Sequence, residues 1–378
     1  MKSITRKKIA ILGIKGLPSK GGAERVVEAI VNNLHHEFDF SVYSIDSYSK
    51  DFQPKDIRLI KLKNFGGKHL SSFSLFIFSA VHALLFEKYD LIHIHNTDAG
   101  FIVPMLRIKY KVIGTSHGYA YKREKWNRIA KFFLKRSEAI FLKFSNVITS
   151  VSKSISYELN MRTKKEVIFI PNGIDEPKWI ENVSLKDEYK LRETDYLCFA
   201  AGRIDPTKGC HFLLEAFKNI TSDLNLVVIG DFTHKKDYSD DLYRMADDKV
   251  KFIPFIENKK TLFGIIKNAK LFILPSTVEA MSIMLLEVAA LGIPIICSDI
   301  PENVCVLEDN TIYFKSGHEK DLKEKIEFCL DNYEEISGKA KRTKDWILKQ
   351  YRWEIISDEY RKLYNNILFS GHCPKVTR

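Results

Sequence analysis

The 378-residue sequence is short of several things that would class it at once. It has no apolar run fit to cross a bilayer, which takes about 20 consecutive apolar residues. The longest runs, "SSFSLFIFSAVHALLF" near residue 78 and "VEAMSIMLLEVAALGIPIIC" near 290, are too short or too interrupted. No low-complexity segment and no internal repeat stands out. The opening "MKSITRKKIAILGIKG" is basic, but its apolar part is only strand-sized and runs into a glycine loop, so it does not read as a secretory signal. The expectation is a cytoplasmic protein. No Cys-x-x-Cys occurs, and the six cysteines (Cys198, Cys210, Cys297, Cys305, Cys329 and Cys373) all lie in the second half. That pattern argues against a disulfide framework and against a structural zinc site.

What is present is apolar residue and positive charge. A hydrophobic content of 45% allows a large core, and at about 100 to 200 residues per domain the length suggests two domains. A net charge of +11 attracts anions: nucleic acid, anionic lipid or a phosphorylated ligand. Because the basic residues are spread along the chain and no nucleic-acid module is recognisable, nucleic acid is not the expected partner.

Short β-branched runs recur, "KIAILGI", "FSVYSI", "IRLIKL", "DLIHIH", "KVIGTS", "NVITSV" and "EVIFIP", with amphipathic or loop stretches between most of them. The rhythm restarts with "YLCFAAG", "LNLVVIG", "VKFIPFI", "KLFILPS" and "IPIICSD". Both halves read as open α/β domains with a parallel sheet wrapped by helices. The boundaries expected are a first domain over 1–175, a polar linker over 176–195, a second domain over 196–345 and a terminal helix over 346–370.

Parallel sheets bind ligands beyond the carboxyl ends of their strands, so the loops that follow strands carry the candidate residues. "GIKGLPSKGGAER" (13–25) ends at a helix start with Gly21 and Gly22, and can bring backbone N–H groups to an anion or serve as a plain turn. His117 follows a strand in "GTSHGY", as a ligand-side residue or a satisfied structural one. His93 and His95 alternate in "LIHIHN" and share one face of the sheet; with no third ligand at a known spacing, packing or hydrogen bonding accounts for them better than a metal. "AGRIDPTKG" puts Arg203 and Lys208 on one loop, where both could reach a phosphate or simply sit in a solvated turn.

The stretch "PSTVEAMSIMLLEVAALGIPIICSD" (275–299) is apolar yet carries Glu279 and Glu287, and a buried carboxylate is costly unless compensated. It reads as strand, loop, short helix, strand, with Glu279 before the helix and Glu287 inside it. The N–H groups of Met281, Ser282 and Ile283 lie between them at the helix start, where an anion is favoured by up to about 2 kcal/mol. The plainer reading leaves Glu279 at the helix N-terminus and Glu287 facing solvent.

Taken together these segments resemble the retaining glycosyltransferases of family 4, over nearly the whole chain. "VEAMSIMLLEVAALGIPIICSD" is similar to the family's E-x7-E signature, "AGRIDPTKG" to its G-R-x4-K-G loop, "IPNGID" to the segment closing the first domain and "YRWEIISDEY" to its terminal helix. "GGAER" and "TSHG" match in position and neighbours. The resemblance implies the GT-B architecture, two Rossmann-like domains facing across a cleft with the last helix crossing back to the first. It implies that Arg203, Lys208 and the amides of Met281, Ser282 and Ile283 hold the diphosphate of a nucleotide-sugar donor, with Gly21 and Gly22 approaching it from the first domain. Glu287 would bind ribose hydroxyls, Glu279 a hydroxyl of the transferred sugar, and His117 the donor sugar near the reacting carbon. The sequence departs from the family at "EAMS", where "EGFG" is common, which puts the sugar pocket in doubt.

The implied activity is transfer of a sugar, with retention, to a glycan or lipid-linked saccharide acceptor in surface-polysaccharide synthesis. No Asp-x-Asp occurs, and no metal or other cofactor is expected, since two cations and a helix end can receive the charge of the departing diphosphate. The alternatives are a nucleotide-sugar epimerase on the same architecture and a non-catalytic nucleotide-sugar-binding subunit.

"YKREKWNRIAKFFLKRSEAIFLKF" (121–144) holds eight Lys or Arg against two Glu, with Trp126, Ile129, Phe133, Ile140 and Phe144 at roughly helical spacing. Such a helix either packs those residues on the first sheet or lies on an anionic membrane at the inner face of the plasma membrane.

Overall fold

The computed structural model describes residues 6–65, 71–122, 126–177 and 196–370. The chain divides into two compact units, one running to Gly173 and resuming at Trp353, the other taking Ile174–Arg352. Of the linker expected over 176–195, residues 178–195 lie outside the described residues.

In the first unit, strands β1 (Lys7–Leu12), β2 (Phe38–Ile45), β3 (Arg58–Leu62), β4 (Leu91–His95), β5 (Val112–Ser116), β6 (Val147–Ser150) and β7 (Val167–Phe169) form one parallel sheet. Its order is β3-β2-β1-β4-β5-β6-β7. Helices α1 (Gly22–Leu34), α2 (Ser71–Phe86), α3 (Val103–Leu106), α4 (Arg128–Phe144) and α5 (Lys153–Asn160) connect the strands. Both faces of the sheet are covered, which is why strands such as "KIAIL" are near-continuous in apolar residues: Ile9, Ala10, Ile11 and Leu12 are all fully buried.

The second unit repeats the plan. Strands β8 (Tyr196–Ala201), β9 (Asn225–Gly230), β10 (Val250–Pro254), β11 (Leu271–Leu274), β12 (Ile295–Ser298) and β13 (Ile312–Phe314) are parallel, in the order β10-β9-β8-β11-β12-β13. Its helices are α6 (Cys210–Lys218), α7 (Lys236–Met245), α8 (Lys259–Lys267), α9 (Ile283–Leu291), α10 (Pro301–Leu307), α11 (Glu319–Asp331) and α12 (Tyr333–Gln350). The strand β13 is not among the runs read from the sequence.

The last helix, α13 (Trp353–Asn365), belongs to the first unit. Trp353, Ile356, Tyr360, Leu363 and Tyr364 recur every three or four residues and enter the same core cluster as Ile9, Val26 and Phe38. The crossing falls at Trp353, later than the residue 346 read from sequence, because α12 continues to Gln350 within the second unit.

Of the two readings left open for α4, packing of its whole apolar stripe on the sheet is not what the structure has. Its inward residues are Leu134, Ser137, Glu138, Phe141 and Leu142, whereas Ile129, Phe132, Phe133 and Phe144 are exposed. Two polar residues are inside because local partners exist. Ser137 Oγ donates to Thr97 O at 2.8 Å, and the fully buried Glu138 carboxylate meets Arg162 at 2.6 Å.

Each sheet reverses its strand order once, between β1 and β4 in the first unit and between β8 and β11 in the second. Such a reversal is the usual ligand position in open parallel sheets.

Candidate active site

At the reversal in the second unit, the loop after β8 is folded onto the loop after β11. Asp205 Oδ1 accepts from Thr207 N at 3.0 Å and starts a single turn over Pro206–Lys208, which ends at Gly209 with φ +70°. A side chain at Gly209 would be strained by that φ, and its Cβ would lie 1.9 Å from the carbonyl oxygen of Pro275. Thr277 N donates to Thr207 O at 2.8 Å and ties the two loops together.

This turn aims Lys208 across the reversal, so that its Nζ lies 2.6 Å from Glu279 Oε1. Glu279 is 10% exposed. Glu287, one turn into helix α9, of which every residue but Met284 is buried, is 6% exposed and pairs with Lys259 Nζ at 2.9 Å. The two carboxylates of the apolar stretch are thus compensated by lysines, and Glu287 does not face solvent. Arg203 is exposed and makes no ion pair among the described residues; its charge helps to hold the Asp231 carboxyl below the usual range, after the hydrogen bonds from Thr233.

Helix α9 begins at Ile283, with Ser282 as its cap: Ser282 Oγ accepts from Leu285 N at 3.2 Å. The first-turn amides without a backbone acceptor among the described residues are therefore those of Ile283 and Met284. Of the Met281, Ser282 and Ile283 expected from sequence, Ser282 and Ile283 stand at this helix start, the serine as its cap.

The reversal in the first unit is built differently. Gly13 has φ +88°, and a Cβ there would lie 2.0 Å from the His95 carbonyl oxygen, so the loop after β1 runs hard against the end of β4. Asn96 Nδ2 donates to Gly13 O at 2.9 Å across the same gap. Gly21 is ordinary extended backbone at φ −151°, and with Gly22 it forms the start of α1, which no side chain caps. The glycines that the backbone demands here are Gly13 and Gly16, at φ +88° and +137°, upstream of the pair picked out in the sequence.

His117 follows β5 and is half-buried. Its Nε2 lies 2.9 Å from Nδ1 of His95, and the two rings stack with centroids 5.2 Å apart. Behind His95 sits His93, with ring centroids 4.1 Å apart. His93 Nδ1 hydrogen-bonds the Tyr364 hydroxyl of α13 at 2.8 Å and its Nε2 the Thr115 hydroxyl at 2.6 Å. Burial, with a smaller repulsion from His117, pushes the His93 pKa down to about 3, and burial also holds His95 well below the usual histidine range. Both imidazoles are neutral. Alternation along β4 placed them on one face as expected, and hydrogen bonding accounts for their presence.

Residues 20–177 match the profile described as Glycosyltransferase Family 4, and residues 183–347 match that of Glycosyl transferases group 1. The chain belongs to glycosyltransferase family 4. An Escherichia coli protein named UDP-Gal:alpha-D-GlcNAc-diphosphoundecaprenol alpha-1,3-galactosyltransferase is 27% identical, over 82% of this chain and 84% of its own. A second E. coli protein, the O-antigen biosynthesis glycosyltransferase WclY, is 21% identical over 92% and 96%. The structure of a sucrose-phosphate synthase from Thermosynechococcus elongatus superposes with a TM-score of 0.82 at 19% identity, over 97% of this chain and all of that one, and shares the GT-B fold.

The transferase is thus a retaining enzyme of the GT-B type. Of its family motifs, "GGAER", "AGRIDPTKG" and "VEAMS" lie in the stretches that follow strands at the two reversals, and two further residues bear on the site. Lys259, the first residue of α8, is not picked out by the sequence because nothing in "ENKKTLF" shows which lysine turns toward Glu287. For His95 the expectation was packing or hydrogen bonding, and the partner that sequence does not name is His117, beyond the adjacent strand paired at His95 and Thr115. Among the described residues no cluster of three metal-ligating side chains occurs, and no helix is long and apolar enough to cross a membrane.

Proposed function

We propose that the transferase moves a sugar from a nucleoside-diphosphate sugar to a lipid-linked or glycan saccharide, with retention, in the assembly of a bacterial surface polysaccharide. The observation that carries this reading is the pair of lysine–carboxylate contacts at the second reversal, Lys208 with Glu279 and Lys259 with Glu287, beside an N-terminus of α9 where the Ile283 and Met284 amides have no backbone acceptor among the described residues. A diphosphate outcompetes a single carboxylate for Lys208 and takes the helix-end N–H groups and Arg203 as well. Glu279, released from Lys208, then accepts from a sugar hydroxyl, and Glu287 from the ribose hydroxyls. As the glycosidic bond to the diphosphate breaks, negative charge grows on the leaving oxygen, and these groups are already oriented to receive it. Protein cations do here what a divalent ion does elsewhere, so no metal is required. His117 serves the sugar.

The E. coli relative's name specifies a UDP-linked donor and an undecaprenol-diphosphate acceptor, which supports uridine as the base and a lipid-linked acceptor. Helix α4 suits that acceptor. Ile129 is 81% and Phe132 60% exposed, and at 100° per residue they share the outer face with Arg128 and Arg136. Interleaved apolar and basic side chains dock on anionic lipid, each basic residue contributing about 1 kcal/mol near the surface. Salt-sensitive binding to anionic vesicles is expected, weakened by changing Lys131, Lys135 and Arg136 to Glu; a wild type that ignores such vesicles at low salt removes the membrane from the proposal. The donor is tested by thermal shift with UDP-, GDP-, ADP- and dTDP-sugars, where a UDP-sugar should raise Tm with concentration. No shift with any of the four would contradict the donor site.

A further inference from the structure

His95 sits in a position that decides which proton His117 carries. A neutral imidazole has one N–H donor and one acceptor nitrogen. His95 Nδ1 is bonded to His117 Nε2 at 2.9 Å, while His95 Nε2 is buried with no partner. If His95 carried its proton on Nε2, a buried N–H would be orphaned; if it carries it on Nδ1, only an acceptor lone pair goes unused. Orphaned buried N–H groups are the rarer and more costly defect. The proton therefore sits on His95 Nδ1 and is donated to Nε2 of His117. Turning the His95 ring over would replace Nδ1 by a carbon and lose that bond. The ring is also clamped by His93, which is itself held at both nitrogens by Tyr364 and Thr115.

We propose that His95 is a positioning residue that fixes His117 as the tautomer protonated on Nδ1, so that His117 donates a hydrogen bond to an oxygen of the sugar and cannot act as a general base. With its Nε2 lone pair occupied by His95, His117 has only an N–H to offer. The acceptor hydroxyl's proton must then go to an oxygen of the donor itself or to solvent. The inference rests on the reading of His117 as the residue that serves the sugar, and its test separates the two.

The tautomer is read directly from imidazole 15N shifts of the full-length protein without substrate, where His117 should show its proton on Nδ1 in wild type and in His95→Asn. An asparagine amide N–H can occupy the place of Nδ1. His95→Phe, which keeps a ring but no donor, should let His117 populate both tautomers and should lower kcat by about 10- to 100-fold, with KM for the donor little changed. His95→Asn should recover most of that loss. A proton on Nε2 of wild-type His117 overturns the inference whatever the variants do, and so does a His95→Asn enzyme as slow as His95→Phe with the Nδ1 tautomer intact. Full activity in His117→Ala instead overturns the role of His117 in the proposed function, leaving the tautomer measurement to stand alone.

Discussion

The two units reverse their strand order in the same way and furnish the reversals with opposite chemistry. In the second, Lys208, Glu279, Lys259 and Glu287 make ion pairs at the mouth of the sheet. In the first, His93, His95 and Thr115 form a buried line that carries no charge and ends at His117. One backbone plan thus offers exchangeable counter-ions in one unit and fixed neutral donors in the other. Topology decides where a ligand binds, and side chains decide whether that place suits a diphosphate or a hydroxyl.

Removing a cation from the charged reversal should have the largest effect. Lys208→Ala and Arg203→Ala are each expected to lower kcat by about 10² to 10³, the usual loss for one group that receives developing charge. Lys208→Ala should be the worse, because it also strands Glu279. Unchanged turnover in both would dissolve the contrast between the units.

Within the charged reversal the two carboxylates should separate by ligand. Glu287→Ala is expected to weaken the bare nucleoside diphosphate and the donor alike by about tenfold, while Glu279→Ala weakens only the sugar-bearing donor, each by about the worth of a hydrogen bond to a charged group. Titration calorimetry with both ligands measures this. Equal losses for both ligands in both variants would mean that the division of roles is wrong.

The neutral reversal should show itself in stability before catalysis. His93 has its pKa lowered from 6.5 to about 3, so between those values the unfolded chain binds a proton that the folded one refuses. Stability is therefore fully present above pH about 6.5 and falls as pH drops toward 3, by up to a few kcal/mol at about 1.4 per pKa unit. Tm followed from pH 7 to pH 4 should decline, and less steeply in His95→Asn, which removes the second buried imidazole. A flat profile in wild type would mean that these histidines are not held neutral. The smallest expected change is none at all: turnover should survive EDTA, and a strict need for added metal would transfer the charge-receiving role away from Arg203 and Lys208.

The sheets were legible in the sequence because every strand but β13 is a β-branched run bounded by turns, and the order of motifs pointed to the loops that follow them. Glu279, Glu287, Lys208 and His117 were legible for the same reason. What was hidden depends on distant partners. The inward face of α4 contains Ser137 and Glu138 because Thr97 and Arg162 come to meet them, so a count of apolar spacing does not find it. Tyr364 reaches His93 from the other end of the chain, and no local pattern announces it. Lys259 became visible only once Glu287 was seen to be buried.

The return of α13 bears on the order in which the protein can be made. The second unit is one unbroken stretch, Ile174–Arg352, and holds all its core residues before the last helix is translated. The first unit, although it begins the chain, lacks Trp353, Ile356, Tyr360 and Tyr364 until synthesis is nearly over, and Gly173 leaves just enough room for the Trp353 ring. On the ribosome the N-terminal half must wait, partly assembled and with apolar surface open, while the half behind it completes its core; domains that fold in turn from the N-terminus avoid that delay. A chain ending at residue 350 would therefore release a finished second unit joined to a first that has lost its closing helix.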